Sequence, residues 1–328
     1  MPALALSMLA LLMMSGCANL GGRWVAASPN QGRTVAQCAP AHDAAPAMQG
    51  AVIDHRFRVE VAEPPASLSV WIIDPSNERV IKTSDGLGFQ TPDPDRRVTR
   101  EPDHTVLILH GFRHPKNSWP YLFWARVFAQ NGARAVLVDL RGHGGSSGDW
   151  HTFGPGEAQD LTRVIDHLET RGLLTGRLGV FGASFGGATA MHLAACDPRV
   201  GAVVSVSAFA SMREALPAFA RGRLGRLGGL TRLWNFDRLI AHAGRYGDFD
   251  PDAADGRRAL QNTHTPVLIA HSSNDQHIPV AQAHALAQAG GERTQLLILD
   301  GPGHFQFGAD GAVQLRQAAL DWFQQHLR

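Results

Sequence analysis

Charge of one sign, long apolar runs and cysteine are all scarce in this chain of 328 residues. Thirty Lys plus Arg stand against 29 Asp plus Glu, a net charge of +1, so no overall field gathers nucleic acid or anionic substrates and any such contact has to be local. The 35 Gly and 19 Pro are too few and too scattered for a collagen-like or low-complexity chain. Internal repeats are missing as well. With 44% hydrophobic and 18% charged residues the chain can bury a sizeable core, and its length suits one large α/β domain.

An apolar stretch from Ala3 to Met14, interrupted only by Ser7, falls short of the roughly 20 residues that a membrane-spanning helix needs. It ends in the small residues Ser15 and Gly16 before Cys17 and reads as a cleavable export signal over residues 1–16. Met14-Ser15-Gly16-Cys17 resembles a bacterial lipobox. The resemblance implies that Cys17 carries a diacylglycerol and anchors an exported protein to a bacterial membrane, facing the periplasm or the cell exterior. An ordinary secretory signal with Cys17 incidental is the alternative. Of the other two cysteines, Cys196 lies in an apolar helical stretch, where an unpaired and buried thiol is expected, although an oxidising compartment would permit pairing with Cys38. Residues 17–50 are rich in Ala, Gly, Pro and Gln without a steady period and read as a tether.

The folded domain is expected over 51–328. Alternation over His55 to Val61 and the run Leu68 to Ile73 predict an antiparallel pair at a sheet edge, with a further short strand around Val80 and Ile81. Short apolar runs follow at Thr105–Leu109, Ala135–Leu140, Leu178–Phe181, Val200–Val206, Pro266–His271 and Gln295–Leu299. Continuous apolar strands are expected where helices cover both faces of a parallel sheet. The crossover helices are predicted at Tyr121–Gln130, Gly156–Arg171, Gly187–Ala195, Val280–Ala289 and Gly311–Leu327. Between about 208 and 262 the alternation lapses, as for an inserted cap.

Strand Leu178–Phe181 runs into Gly182-Ala183-Ser184-Phe185-Gly186-Gly187 and then into a helix. Gly-x-Ser-x-Gly in strand-turn-helix context predicts a sharp turn that leaves the Ser184 hydroxyl exposed at a helix N-terminus. A phosphate loop would want a lysine near the helix start, and none occurs between Gly182 and Ala195. A serine nucleophile needs a base and an acid to orient that base. Asp275 follows one late strand and His304 follows the next, which sets the chain order Ser184, Asp275, His304. His143, His271 and His277 compete as base with weaker claims, and Asp139 precedes the serine.

These motifs, with Leu109-His110-Gly111-Phe112 and Asp139-Leu140-Arg141-Gly142-His143-Gly144-Gly145-Ser146, resemble the α/β-hydrolase-fold serine hydrolases over about Val106 to Leu327. The resemblance implies a mostly parallel sheet flanked by helices with a small cap. It also implies a Ser184–His304–Asp275 triad and an oxyanion hole made by the backbone N–H groups of Phe112 and Phe185, with no metal and no cofactor. His110, Arg141 and His143 are expected to shape loops. The expected substrate is a small acyl compound, with ester or thioester cleavage leading and an aminopeptidase or amidase as alternative, because the first half of the cap is poor in carboxylates. A non-catalytic lipid-anchored binding module is a third reading. From Phe209 to Gly247 the cap holds seven arginines, which either face anionic groups, on phospholipid or on an acidic substrate, or form a solvated surface.

Overall fold

The computed structural model describes residues 18–43, 51–83, 86–90 and 97–327. In chain order its elements are α1 (Ala18–Ala26), α2 (Val35–Asp43), β1 (His55–Val61), β2 (Ala66–Ile73), β3 (Arg79–Thr83), β4 (Gly86–Gln90), β5 (His104–Leu109), α3 (Trp119–Gln130), β6 (Ala133–Val138) and α4 (Pro155–Thr170). There follow β7 (Leu178–Ala183), α5 (Phe185–Cys196), β8 (Val200–Val206), α6 (Met212–Leu224), a 3₁₀ segment (Gly225–Leu233), α7 (Phe236–Gly247), α8 (Gly256–Gln261), β9 (Val267–Ser272), α9 (Ala281–Gly290), β10 (Thr294–Leu299) and α10 (Ala309–Leu327).

Eight strands form one sheet in the order β1-β2-β6-β5-β7-β8-β9-β10. The first two join antiparallel, β2 also meets β6 antiparallel, and every later pairing is parallel. β3 and β4 make a separate hairpin, of which the sequence pattern indicates only the first strand.

The apolar runs are continuous because each strand buries both faces. Leu107 and Leu109 of β5, with Val180 of β7 and Val203 of β8, enter a core shared with α4 and α5. Val106 and Ile108, with Phe181 and Val204, enter a second core beneath α3 and α10. Phe181 shows the packing, with ring centroids 4.5 Å from Trp124 and 5.5 Å from Phe128. Burying a side chain of this size contributes roughly 1.5–3 kcal/mol. This is the doubly wound arrangement expected from the strand pattern. It puts the loops after β5, β6, β7, β9 and β10 at one end of the sheet, where parallel α/β folds assemble their sites.

Two expectations need correction. Residues 17–50 do not behave as a tether over their described part, Ala18 to Asp43. There α1 packs Val25 and Ala26 against Leu239, Ile240 and Ala243 of α7 and its neighbours. Asn30 Nδ2 donates to Gly144 O (2.9 Å) and Ser146 O (2.7 Å), and Ser28 Oγ donates to Gly148 O (2.6 Å). The segment is short and broken by Gly and Pro, and it is held by this apolar contact together with hydrogen bonds to a loop more than 100 positions away. The second correction concerns Cys196. It is free and exposed, whereas Cys38 is the buried thiol; Cys196 is the last residue of α5. Cys17 lies outside the described residues.

Candidate active site

The sharp turn at Ser184 is built by steric exclusion. Ser184 sits between β7 and α5 with φ 54° and ψ −114°, a left-handed conformation that is costly for a residue with a Cβ. Its own N–H donates to Val206 O at 2.7 Å, tying the turn to β8. Gly186 allows the helix to begin there, since a Cβ at that position would meet the Leu109 carbonyl carbon at 2.6 Å and His110 O at 2.7 Å. The result is a partly exposed serine at the N-terminus of a 12-residue helix, where free N–H groups and the helix dipole favour negative charge.

The loop after β9 presents Asp275, whose Oδ1 accepts the N–H groups of His277 and Ile278, both at 2.9 Å. Its Oδ2 accepts from His304 Nδ1 at 2.6 Å. His271, fully buried, donates from Nε2 to Ile278 O at 2.9 Å and stands 3.4 Å from the same Oδ2. Burial by itself would raise the Asp275 carboxyl. Hydrogen bonds from His271 and His304 and the Ile278 N–H outweigh it and hold the group well below the usual carboxylate range. The carboxylate therefore accepts the Nδ1 proton of His304, which turns the Nε2 lone pair toward Ser184 Oγ, 2.9 Å away. Ser184, Asp275 and His304, each expected at the site, are brought together in one hydrogen-bonded line.

Beside them lies the loop after β5. Tyr121 Oη accepts the Gly111 N–H at 2.7 Å, and burial pushes the Tyr121 phenol up to about 12, so it stays neutral. His110 Nε2 accepts the Leu140 N–H at 2.9 Å, which places its proton on Nδ1, donating to Gly111 O at 2.9 Å. Burial lowers His110 to about 4 and preserves that neutral tautomer. His110 thus joins the two loops, the shaping role expected of it. A Cβ on Gly111 would approach Ser184 Cβ to 3.6 Å, so this loop borders the serine. Among the described residues no internal acceptor takes the N–H of Phe112 or of Phe185.

Asp139, the rejected acid candidate, has a structural partner that sequence reasoning missed. It is buried with Lys116, whose Nζ donates to Asp139 Oδ2 (2.7 Å) and whose N–H donates to Oδ1 (2.6 Å). Arg141 pairs with Asp160 through two bonds of 2.6 and 2.5 Å. No local pattern marks Lys116, since a lone lysine in a loop normally signals only solvent. Tyr121 was detectable in part, being one of only two tyrosines in the chain.

The other histidines are elsewhere occupied. His143 Nδ1 donates to Arg141 O at 2.8 Å. The His277 ring centre is 5.7 Å from that of His304, outside the hydrogen-bonded line. In the cap, Glu214 pairs with Arg257 (2.8 Å), Asp255 with Arg257 (2.7 Å) and Asp252 with Arg213. Among the described residues no group of three or more His, Cys, Asp or Glu is arranged to hold a metal ion, and no helix is long and apolar enough to cross a membrane.

Residues 106–315 match the sequence profile described as the Alpha/beta hydrolase family. The uncharacterized protein YqkD of Bacillus subtilis is 28% identical over 188 residues, covering 56% of this chain and 59% of YqkD. The esterase Pf2001 of Pyrococcus furiosus superposes with a TM-score of 0.65 at 16% identity, covering 87% of this chain and 96% of the esterase. The acylaminoacyl peptidase of Pyrococcus horikoshii gives 0.56 at 17% identity, covering 84% of this chain and 42% of the peptidase. At such identities the two structures share the fold. With the profile spanning the sheet from β5 into α10, and with the elbow, acid and histidine loops in the order that fold requires, the chain belongs to the alpha/beta hydrolase family.

Proposed function

We propose that this protein is a serine hydrolase that cleaves carboxylic esters or thioesters through an acyl-enzyme on Ser184. The observation that carries the reading is the continuous path from Asp275 Oδ2 to His304 Nδ1 (2.6 Å) and from His304 Nε2 to Ser184 Oγ (2.9 Å). His304 takes the hydroxyl proton as Oγ bonds to the acyl carbon, and the carbonyl oxygen becomes an oxyanion facing the N–H groups of Phe112 and Phe185. When the tetrahedral species collapses, the bond to the leaving oxygen or sulfur breaks and His304 returns the proton to that atom. Water, deprotonated by His304, then attacks the acyl carbon and releases Ser184 with its proton restored. Asp275 keeps the imidazole in the tautomer that both halves need.

Cleavage of esters ranks above that of aminoacyl amides for a reason that lies in the cap. An aminopeptidase needs a free carboxylate for the substrate ammonium, whereas Glu214, Asp252 and Asp255 are each bonded to an arginine, which leaves Asp237 (3.6 Å from Arg213), Asp248 and Asp250 as the cap carboxylates without a close arginine among the described residues. A fluorophosphonate probe should label the wild type and spare Ser184→Ala, and equal labelling of both rejects the nucleophile. Short and long acyl nitrophenyl esters set against aminoacyl anilides then decide the bond, with faster turnover of the anilides reversing the order. The lipobox-like Met14-Ser15-Gly16-Cys17 supports a further proposal, that the enzyme is exported and held at a bacterial membrane by acylated Cys17. Intact-mass analysis of the bacterially expressed protein should find a diacylglycerol there, and an unmodified product starting elsewhere rejects the anchor.

A further inference from the structure

Arg113, the exposed residue after Phe112, is held differently from the ion-paired arginines of the sheet and its helices. Arg97, Arg126, Arg134, Arg141 and Arg199 each pair with an aspartate or glutamate at 2.5 to 2.7 Å. Arg113 has no carboxylate partner among the described residues. Its guanidinium carbon instead stands 5.1 Å from the Trp24 ring centre of α1 and 5.3 Å from that of Phe112. Its backbone holds φ 61°, a left-handed conformation of the kind that strained functional turns keep. The aromatic flanks fix the cation without neutralising it. Burial lowers its pKa and no acid offsets that effect, yet a guanidinium stays charged at any working pH.

Behind Phe112 the chain packs aromatic rings and imidazoles, and the buried Glu157 beside them is taken up by Thr152 and the Gly154 N–H. Rings of Phe112, Phe153 and Phe185 stand 4.9, 4.7 and 5.9 Å from the ring of His151, with His143 at 6.1 Å. Both imidazoles are fully buried, and Nε2 of each lacks a hydrogen-bond partner. Burial first, and the Arg113 charge second, lowers His151 to about 3, so the imidazole beside Phe112 is neutral. His304 returns its proton to the leaving group, which places that group on the side of the His304 loop. An acyl substituent on the other side of the scissile carbon would then extend toward the Phe112 loop, in which Arg113 follows Phe112.

We propose that Arg113 binds a carboxylate at the far end of the acyl group, so that the preferred substrates are half-esters or half-thioesters of short dicarboxylic acids. This rests on the ester-hydrolase reading above and adds the chemical class of the acyl moiety. A guanidinium held between aromatic rings, with no carboxylate partner among the described residues, gains a two-point, charge-assisted contact when such a substrate enters.

The experiment compares nitrophenyl butyrate with nitrophenyl hemisuccinate, and both with the acetyl ester of a carboxylated phenol, which carries its anion on the leaving side. The wild type should favour the hemisuccinate over the butyrate in kcat/KM by about 10- to 100-fold, the scale of one hydrogen bond to a charged group. Arg113→Met should bring that ratio close to one whatever its absolute rates, Arg113→Lys should keep part of it, and Arg163→Met, on the far exposed side of α4, should keep all of it. A wild-type ratio near one, a ratio that survives Arg113→Met, or a preference for the anion on the phenol overturns the proposal. Should Ser184 resist fluorophosphonate and neither ester be cleaved, the hydrolase reading fails by itself. Arg113 is then judged by calorimetry with monomethyl succinate on Ser184→Ala. Binding that Arg113→Met abolishes upholds the carboxylate site, and no binding, or binding that Arg113→Met leaves intact, rejects it.

Discussion

Lys116 Nζ lies 2.7 Å from Asp139 Oδ2 with both side chains almost wholly excluded from water. The ammonium also donates to Ser69 Oγ at 2.5 Å and stands 4.2 Å from the Trp71 ring centre. Asp139 accepts further from the N–H groups of Lys116 and Gly145. One buried pair therefore ties the loop after β6, which holds His143, to the loop after β5, which holds Phe112.

Breaking that pair from the acid side strands a buried cation. Asp139→Ala should cost roughly 3–5 kcal/mol, the usual consequence of leaving one buried charge unpaired. The change should appear as a lower urea midpoint without a changed slope. A loss below about 1 kcal/mol would show that water reaches Lys116 in the folded protein.

Asp275→Asn tests orientation rather than charge alone. An amide can donate toward Nδ1 and so favour the tautomer with its proton on Nε2, facing Ser184. We expect kcat to fall by about 10⁴-fold, the scale known for this change in serine triads, with an unaltered circular dichroism spectrum. Retention of a tenth or more of the activity would remove Asp275 from the proposed machinery.

Stability should fall as the solution is acidified from pH 7. His110 and His151 are lowered from 6.5 to about 4 and about 3, in each case chiefly by burial. Between those values and 6.5 the unfolded chain binds protons that the folded chain refuses, so acidification favours unfolding. His110 alone accounts for about 3 kcal/mol across its window at about 1.4 kcal/mol per pKa unit. Asp275, held low, adds its loss only once the pH drops below the ordinary carboxylate range. Thermal midpoints measured from pH 7 to pH 4 should decline steadily, whereas a flat profile would mean that the buried imidazoles accept protons in the native state.

The N-terminal segment offers an independent check on the corrected tether. Asn30→Ala removes the donors to Gly144 O and Ser146 O. Leaving these carbonyls short of a partner should destabilise the fold by about 1–3 kcal/mol. Hydrogen exchange at residues 142–148 should quicken in the same variant. Unchanged stability and exchange would show that the segment docks without supporting that loop.

The fold was readable because its strands carry redundant information. Val106 and Ile108 face one core and Leu107 and Leu109 the other, so the whole run has to be apolar and stands out from its polar surroundings. Ser184 was readable for a different reason, since the turn that exposes it admits only glycine at positions such as 186. Lys116, Arg113, Trp24 and Asn30 had no such signature. Each acts through partners outside its own element, and such isolated contacts leave no period and no motif.

The sequence by itself determined the strands of the large sheet and the helices that cross between them, the order of serine, aspartate and histidine along the chain, and the glycines that make the elbow possible. These are local matters of side-chain volume, polarity and backbone freedom. Only the tertiary structure decided that Ser184 and His304, 120 positions apart, come within a hydrogen bond, that residues 18–43 bond to the loop after β6, and that Arg113 meets no acid among the described residues. Those facts depend on which loops the parallel sheet carries to its common end, and on the desolvation that their packing imposes.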